Sequence, residues 1–371
     1  MVYGLKEAAA IMRSRIRLAT QGLVGREQIA ELMILAAVAE EHLLIIGPPG
    51  TAKSAVVRRV AAALGGRYFE YMLGRFTEPN ELFGPIDLRK LKEGTVEIDT
   101  TGMLPDAEVA FLDEVFLGST AILNTLLGVL NERTFRKGHT IKKCPLRVCV
   151  GAANGLPDDE ALAAFADRFL LHSFVEATPD HLLEDMLEGG WQSELHPIVE
   201  GDGIGCMTYL SEAMREVDLT QIRASLAHAI RLLRQNGIHL SDRRIVKSQR
   251  LIAAATVLSG RSTATDADLW PLLYVLPTQA AQHSGREVLK DLLMTSANQH
   301  LHLAVETIVQ QPKSRESRLL EEAAQLLAAP EAERSQIEAV LKEIDANFSS
   351  DQLTKPLAAA RHRLIEKIPA L

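Results

Sequence analysis

The sequence predicts an α/β fold: a parallel five-stranded sheet covered by helices on both faces, followed by an all-α segment and a helical C-terminal extension. Two observations carry this. Five short apolar runs, near 42–46, 67–72, 109–113, 146–153 and 169–174, alternate with helical stretches, and such alternation requires parallel strands joined by crossovers. Beyond Pro179 the strand signals stop; Ile222, Leu226, Ile230 and Leu233 recur at helical spacing and Gly237 supplies a stop. The division is residues 1–178 for the α/β part, 179–284 for the all-α part and 285–371 for the extension.

The first run, His42 to Ile46, is suited to a buried parallel strand and feeds into Gly47-Pro48-Pro49-Gly50-Thr51-Ala52-Lys53-Ser54, after which a helix is expected. Strand, glycine-rich loop and helix are the setting of a phosphate loop. Backbone N–H groups and the helix N-terminus cradle phosphate, Lys53 reaches the outer phosphates and Ser54 ligates magnesium. The strict pattern has Gly where Ala52 stands. A methyl costs little there if φ is negative, whereas a position needing positive φ would reject it; the departure is read as tolerable.

Val109 to Leu112 ends in Asp113-Glu114, placing two carboxylates at the ligand-binding edge of a parallel sheet. Asp113 is expected to hold magnesium through water. Glu114 is expected to orient the attacking water, since phosphoryl transfer depends on positioning and charge stabilisation. Asn154, at the tip of the run Leu146 to Ala153, can reach a γ-phosphate or that water; an Asn before Gly155 is otherwise a common turn residue. Arg168 follows a helical stretch, where it can face a neighbouring subunit's nucleotide or pair with Asp167 on the surface. Ser241 is placed to cap a helix with Arg243 in its first turn, a position the helix dipole disfavours and a phosphate ligand would justify.

These motifs, together with Glu81-Leu82-Phe83-Gly84-Pro85, Thr101-Gly102-Met103-Leu104-Pro105, the stretch Ala121 to Leu127 and Asn131-Glu132-Arg133, resemble the AAA+ superfamily, within it the MoxR family, and most nearly the RavA group. The resemblance covers most of residues 20–260. It implies a hexameric, magnesium-dependent ATPase that binds ATP and ADP between subunits and remodels a partner protein, with a von Willebrand factor A domain protein as the family's usual companion. It also implies that Ser241-Asp242-Arg243-Arg244 is the second sensor, Arg243 first and Arg244 in reserve, and that Val24-Gly25 lines the adenine pocket. The segments Ile86 to Ile98 and Phe135 to Lys143 resemble inserted hairpins. No counterpart of RavA's small β-rich domain is evident at the C-terminus.

Composition narrows the alternatives. The net charge of −8 and the lack of a concentrated Lys/Arg face make nucleic acid an unexpected partner, although Arg136, Lys137, Lys142 and Lys143 gather on one hairpin. Cys144, Cys149 and Cys206 have no metal-ligand spacing and read as reduced structural thiols. No apolar run approaches the roughly 20 residues needed to span a bilayer, and no signal peptide is evident, so a cytoplasmic location is expected. His300 and His302 are two apart and do not share a helix face, which argues against a metal pair. The stretch from Gly189 to Gly205 reads as an exposed loop. The extension, with Leu319-Leu320, Leu326-Leu327, Ile337, Val340-Leu341 and Ile344 as apolar positions and Pro312 and Pro330 as breaks, reads as amphipathic helices forming either a packed bundle or a docking platform. A nucleotide-gated scaffold and a nucleic-acid translocase are the rival functions.

Overall fold

The computed structural model describes residues 4–195, 201, 203–309 and, beyond them, 320, 323, 324, 326, 327, 337, 340, 341, 344 and 355–367. The five expected strands form one sheet: β1 (Leu43–Ile46), β2 (Tyr68–Met72), β3 (Val109–Asp113), β6 (Val148–Ala153) and β7 (Leu171–Phe174). Their order is β2-β3-β6-β1-β7 and all neighbours are parallel. β4 (Thr134–Lys137) and β5 (Thr140–Lys143) form a separate antiparallel hairpin, as the sequence suggested.

Alternation along the strands divides the core in two. Leu43 and Ile45 of β1, Val109 and Phe111 of β3 and Val148 and Val150 of β6 pack with α1 (Leu5–Thr20), α2 (Glu27–Ala39) and α3 (Lys53–Leu64) on one face. Leu44, Ile46, Ala110, Leu112 and Cys149 pack with α6 (Thr120–Glu132) and α7 (Glu160–Ala166) on the other. Both faces are covered, so the strands read as continuous apolar runs.

After β7 the chain is helical: α8 (Leu183–Leu195), α9 (Ile204–Met214), α10 (Ile222–Gln235), α11 (Asp242–Leu258), α12 (Pro271–Val275), α13 (Gln279–Val288), α14 (Lys290–Leu293) and α15 (His302–Val309). α10 buries Ile222, Leu226, Ile230 and Leu233 as its periodicity predicts. Residues 1–178 and 185–309 make one compact unit. The expected division at 284 falls inside α13, which stays helical past Gly285 because that residue's bare Cα packs against Leu276, Leu233 and Leu273.

The expected loop from Gly189 is helical to Leu195 instead, and residues 196–200 and 202 lie outside the described set. Gly189 is there for contact: a Cβ would come within 2.8 Å of the Gly22 carbonyl oxygen. Between Ile86 and Ile98, after the short helix α4 (Pro79–Phe83), there is a single antiparallel bridge and a short helix, α5 (Leu88–Lys92), rather than a hairpin of two strands.

The second unit comprises 179–184 and 310–371. Its described residues cluster Ala323, Ile337, Val340, Ile344, Leu357 and Leu364, with Leu320, Leu326, Leu327 and Leu341 packed against them. Leu319, Pro312 and Pro330 lie outside the described residues.

Candidate functional site

β1 is flanked by β6, and β6 by β3, so the C-terminal ends of these three strands bring the glycine-rich loop, Asn154 and the acidic pair to one edge. Gly47 leaves β1 pinned between strands, its N–H donating to the Ala153 carbonyl at 3.1 Å. A Cβ there would lie 2.2 Å from the Val175 carbonyl oxygen, so the position excludes every side chain. Pro48, Pro49 and Gly50 are exposed, and Gly50 turns the loop at a φ of 78°. Thr51 Oγ1 then donates to the Pro48 carbonyl at 2.9 Å.

Ala52 corrects the expectation. Its φ is 59°, in the left-handed region, so the site is one that requires positive φ, and alanine is held there at a cost of about 1 kcal/mol. The strict pattern's Gly would occupy it without strain.

Lys53 opens α3 and is buried, its ammonium donating to the Gly47 carbonyl at 2.8 Å and the Pro48 carbonyl at 2.9 Å. Burial lowers its pKa, the carboxylates of Asp113 and Glu114 oppose this, and Arg26 adds to it. The lysine thus lies in the cradle, facing both acids, bonded to neutral carbonyls that a phosphate oxygen can replace. Ser54 follows it, half-buried.

Asp113 ends β3 opposite Met72 of β2. Its Oδ1 accepts the Glu114 N–H at 2.9 Å, and Glu114 itself takes a φ of 49°. A non-glycine residue in the left-handed region beside a phosphate loop is the kind of strain found at working sites. Glu114 Oε1 accepts from Asn154 Nδ2 at 2.6 Å, so an acid and an amide 40 residues apart share one hydrogen bond beside the loop. Ser54 and Asp113 supply hard oxygen donors, the type magnesium takes.

Arg168, Arg243 and Arg244 gather elsewhere. α7 returns from the loop edge to the start of β7, where Leu171 N–H donates to the His42 carbonyl. Arg168 and Asp167 therefore sit at the N-terminal edge of the sheet, about 17 Å from the phosphate loop at ~3.3 Å per strand residue. Arg243 Nη1 donates to the Asp167 carbonyl at 2.5 Å and its Nη2 to Asn131 Oδ1 at 3.1 Å. Arg244 is buried and spends its donors on Asp167 Oδ1 (2.6 Å), the carbonyls of Phe169 (2.9 Å), Leu170 (3.1 Å) and Val275 (2.5 Å), and His172 Nε2 (3.1 Å).

The surface pair Asp167 with Arg168 does not form. Asp167 serves both arginines of α11, and Arg168 keeps a buried Nε with no hydrogen-bond partner. Lys247 on Glu41 and Arg250 on Glu40 continue the α11 stripe along this edge. Ser241 caps α11 as expected, accepting the Arg244 N–H.

Val24 and Gly25 lie between α1 and α2, with Gly25 at a φ of 69°. Sequence reasoning passed over the residue that follows them. Arg26 is buried, and its Nε donates to the Thr51 carbonyl of the phosphate loop at 2.8 Å. In the sequence Asn131 stands out only within a motif and Asp167 only as a surface partner for Arg168; nothing in their spacing announces the contact with α11. On the hairpin, Lys142 turns inward to Asp106 and Thr100, while Arg136, paired with Glu132, stays exposed together with Lys137 and Lys143. All three cysteines are buried and free, with burial pushing Cys149 up to about 12. Among the described residues no His, Cys, Asp and Glu group could hold a metal ion by itself, and no helix is long and apolar enough to cross a membrane.

Comparison with known proteins agrees with this architecture. Residues 10–211 match the family described as the MoxR domain in the MoxR-vWA-beta-propeller ternary systems, and residues 216–289 match an AAA lid domain. An uncharacterized protein of Methanocaldococcus jannaschii is 37% identical over 254 residues, covering 68% of this chain and 66% of that one. A second from the same organism is 36% identical over 249 residues, covering 67% and 66%, so the chain spans about two thirds of the length of these relatives. Chaperone MoxR1 of Mycobacterium tuberculosis is 27% identical over 152 residues, 40% of each chain. A crystal structure from Cytophaga hutchinsonii has the same fold, with a TM-score of 0.61 at 14% identity, covering 79% of this chain and 97% of that one. With a family match across more than half its length and an α/β sheet followed by a helical lid, the chain belongs to the MoxR family of AAA+ ATPases.

Proposed function

We propose that this chain binds and hydrolyses ATP at the edge formed by Gly47 to Ser54, Asp113, Glu114 and Asn154, and uses the turnover to remodel a partner protein. The observation that carries the catalytic part is the 2.6 Å hydrogen bond between Asn154 and Glu114 beside the phosphate loop. On this reading it holds the carboxylate beside the loop, where Glu114 would accept a hydrogen bond from the attacking water while Asn154 detects phosphate loss. Lys53 exchanges its carbonyl partners for phosphate oxygens. Ser54 and Asp113 would hold magnesium, which supplies charge neutralisation on those oxygens. Val24 and Gly25 would border the base.

Arg168 and Arg243 are too far along the sheet to serve their own subunit's loop. The expectation of Arg243 serving from its own lid and Arg168 from a neighbour changes accordingly: we assign both to a neighbouring subunit's nucleotide, in a closed ring for which six subunits is the family expectation. Arg168's unpartnered buried Nε supports this, because such a donor is stabilised by an incoming anion. Arg243 is the second-sensor choice: it is half-buried with replaceable partners, whereas Arg244 is locked in the protein. A von Willebrand factor A domain protein is the proposed companion, following the systems in which the matched MoxR domain is described. The inward turn of Lys142 weighs against a nucleic-acid translocase.

The test is Glu114→Gln. It should bind ATP with affinity near that of the parent and lower turnover by about a hundredfold or more, while Lys53→Ala should lose binding. Equal turnover in Glu114→Gln and parent would remove Glu114 from catalysis.

A further inference from the structure

We propose that Arg26 is a positioning residue that holds the phosphate loop in its binding shape against the strain of Ala52, an inference that deepens the nucleotide-site reading and rests on it. Arg26 precedes α2 and is 8% exposed. Its three nitrogens reach three separate backbone segments: Nε donates to the Thr51 carbonyl at 2.8 Å, Nη1 to the Gly25 carbonyl at 3.0 Å, and Nη2 to the Glu176 carbonyl at 3.1 Å and Thr178 Oγ1 at 3.3 Å. One side chain thus ties the loop bordering the base, the phosphate loop and the chain leaving β7.

The first of these bonds matters most. The Thr51 carbonyl belongs to the peptide that joins Thr51 to Ala52, and the orientation of that plane about the Ala52 N–Cα bond is the φ of Ala52. That φ is 59°, a conformation alanine leaves when nothing holds it. A buried guanidinium donating to the preceding carbonyl opposes that rotation. The bond is charge-assisted and has little water to compete with it. Arg26 and Ala52 therefore form a compensating pair: a side chain does here what the absence of a Cβ does where the loop has Gly.

The pair predicts a dependence that neither residue shows alone. Without Arg26 the empty loop relaxes away from the left-handed conformation, and nucleotide binding must restore it. With Gly at position 52 the loop has little strain to relax, so losing Arg26 matters less.

The experiment is a double-mutant cycle on the full-length chain, reading the affinity for a fluorescent ADP analogue with magnesium present. Arg26→Gln should weaken binding about tenfold or more, the scale of one lost hydrogen bond to a charged group. In the Ala52→Gly background the same change should weaken binding at least about threefold less, a coupling within the range seen for residues sharing one network. Ala52→Gly alone should raise the melting temperature, and its own affinity is the reference for the second arm of the cycle. An equal loss in both backgrounds overturns the proposal, as does no loss in either. If Arg26→Gln does not fold, as judged by circular dichroism, Arg26→Lys keeps the charge and removes the fork, and the same cycle applies. Failure of the parent protein to bind the analogue would instead refute the nucleotide-site reading.

Discussion

The two edges of the central sheet carry charge in opposite ways. At the C-terminal edge, Lys53, Asp113, Glu114 and Asn154 are partnered by exchangeable contacts: backbone carbonyls for the lysine and one amide for the glutamate. At the N-terminal edge, Arg244, Lys247 and Arg250 are set into fixed acceptors, Asp167, Glu41 and Glu40, and the half-buried Arg243 lies beside them on Asp167. The first edge is the one proposed to receive the nucleotide; the other joins the lid helix α11 to the sheet. Arg168 belongs to the second edge by position but to the first by chemistry, since its buried Nε has no partner. On the proposed reading, with Arg168 acting in trans, a complete catalytic site draws one edge from each of two subunits.

The strongest way to break this comparison is to separate the edges genetically. Arg168→Ala should lower ATP turnover by about a thousandfold, the scale of a transition-state arginine. Mixing it with Lys53→Ala should restore part of the activity, because the loop of one variant then meets the arginine of the other. No recovery across a range of mixing ratios would place Arg168 in its own subunit's chemistry or outside it.

Next in size is Arg244→Met. Removing a buried guanidinium that satisfies Asp167 and three carbonyls should destabilise the chain by about 3–5 kcal/mol, read by denaturant unfolding. Arg243→Ala, at a half-buried site, should lose less than about 1 kcal/mol while turnover falls. Comparable instability in both would erase the distinction between a sensor and a structural arginine.

A smaller effect sharpens the N-terminal edge as an electrostatic lattice. His172 accepts from Arg244, its other nitrogen lies 2.7 Å from the Pro277 carbonyl, and burial and then the Arg244 charge push its pKa down to about 4. The folded protein therefore binds fewer protons than the unfolded chain between about pH 4 and the ordinary histidine value of 6.5. Its stabilising contribution is complete above 6.5 and is lost as pH falls toward 4. Relative to His172→Gln, the parent should lose on the order of 2–3 kcal/mol over that window, and parallel pH profiles would show that the imidazole takes up its proton equally in the folded and unfolded states.

The sheet was legible because a strand buried on both faces must be apolar along its length, so β1, β3 and β6 announce themselves as runs. The phosphate loop and the Asp113-Glu114 end were legible because they are contiguous in sequence and their chemistry depends on local spacing. The φ of Ala52 was not: a one-letter pattern records that Gly is missing, but backbone conformation reports whether it is missed. Gly189 misled for a related reason, since a glycine that looks like a loop signal answers the close approach of Gly22, in the turn after α1, to a helix.

By itself, then, the sequence determined the order of elements, the identity of the loop and acids, and the family they resemble. Only the tertiary structure decided that Asp167 binds α11 rather than Arg168, that Arg243 and Arg244 have different burdens, and that Arg26 reaches Thr51. Those facts join residues separated by 25 to 77 positions, and such contacts depend on how helices dock across the sheet. Local propensity has no means of encoding them, because each partner taken alone is an ordinary charged residue at or near a helix end or, for Thr51, a loop carbonyl.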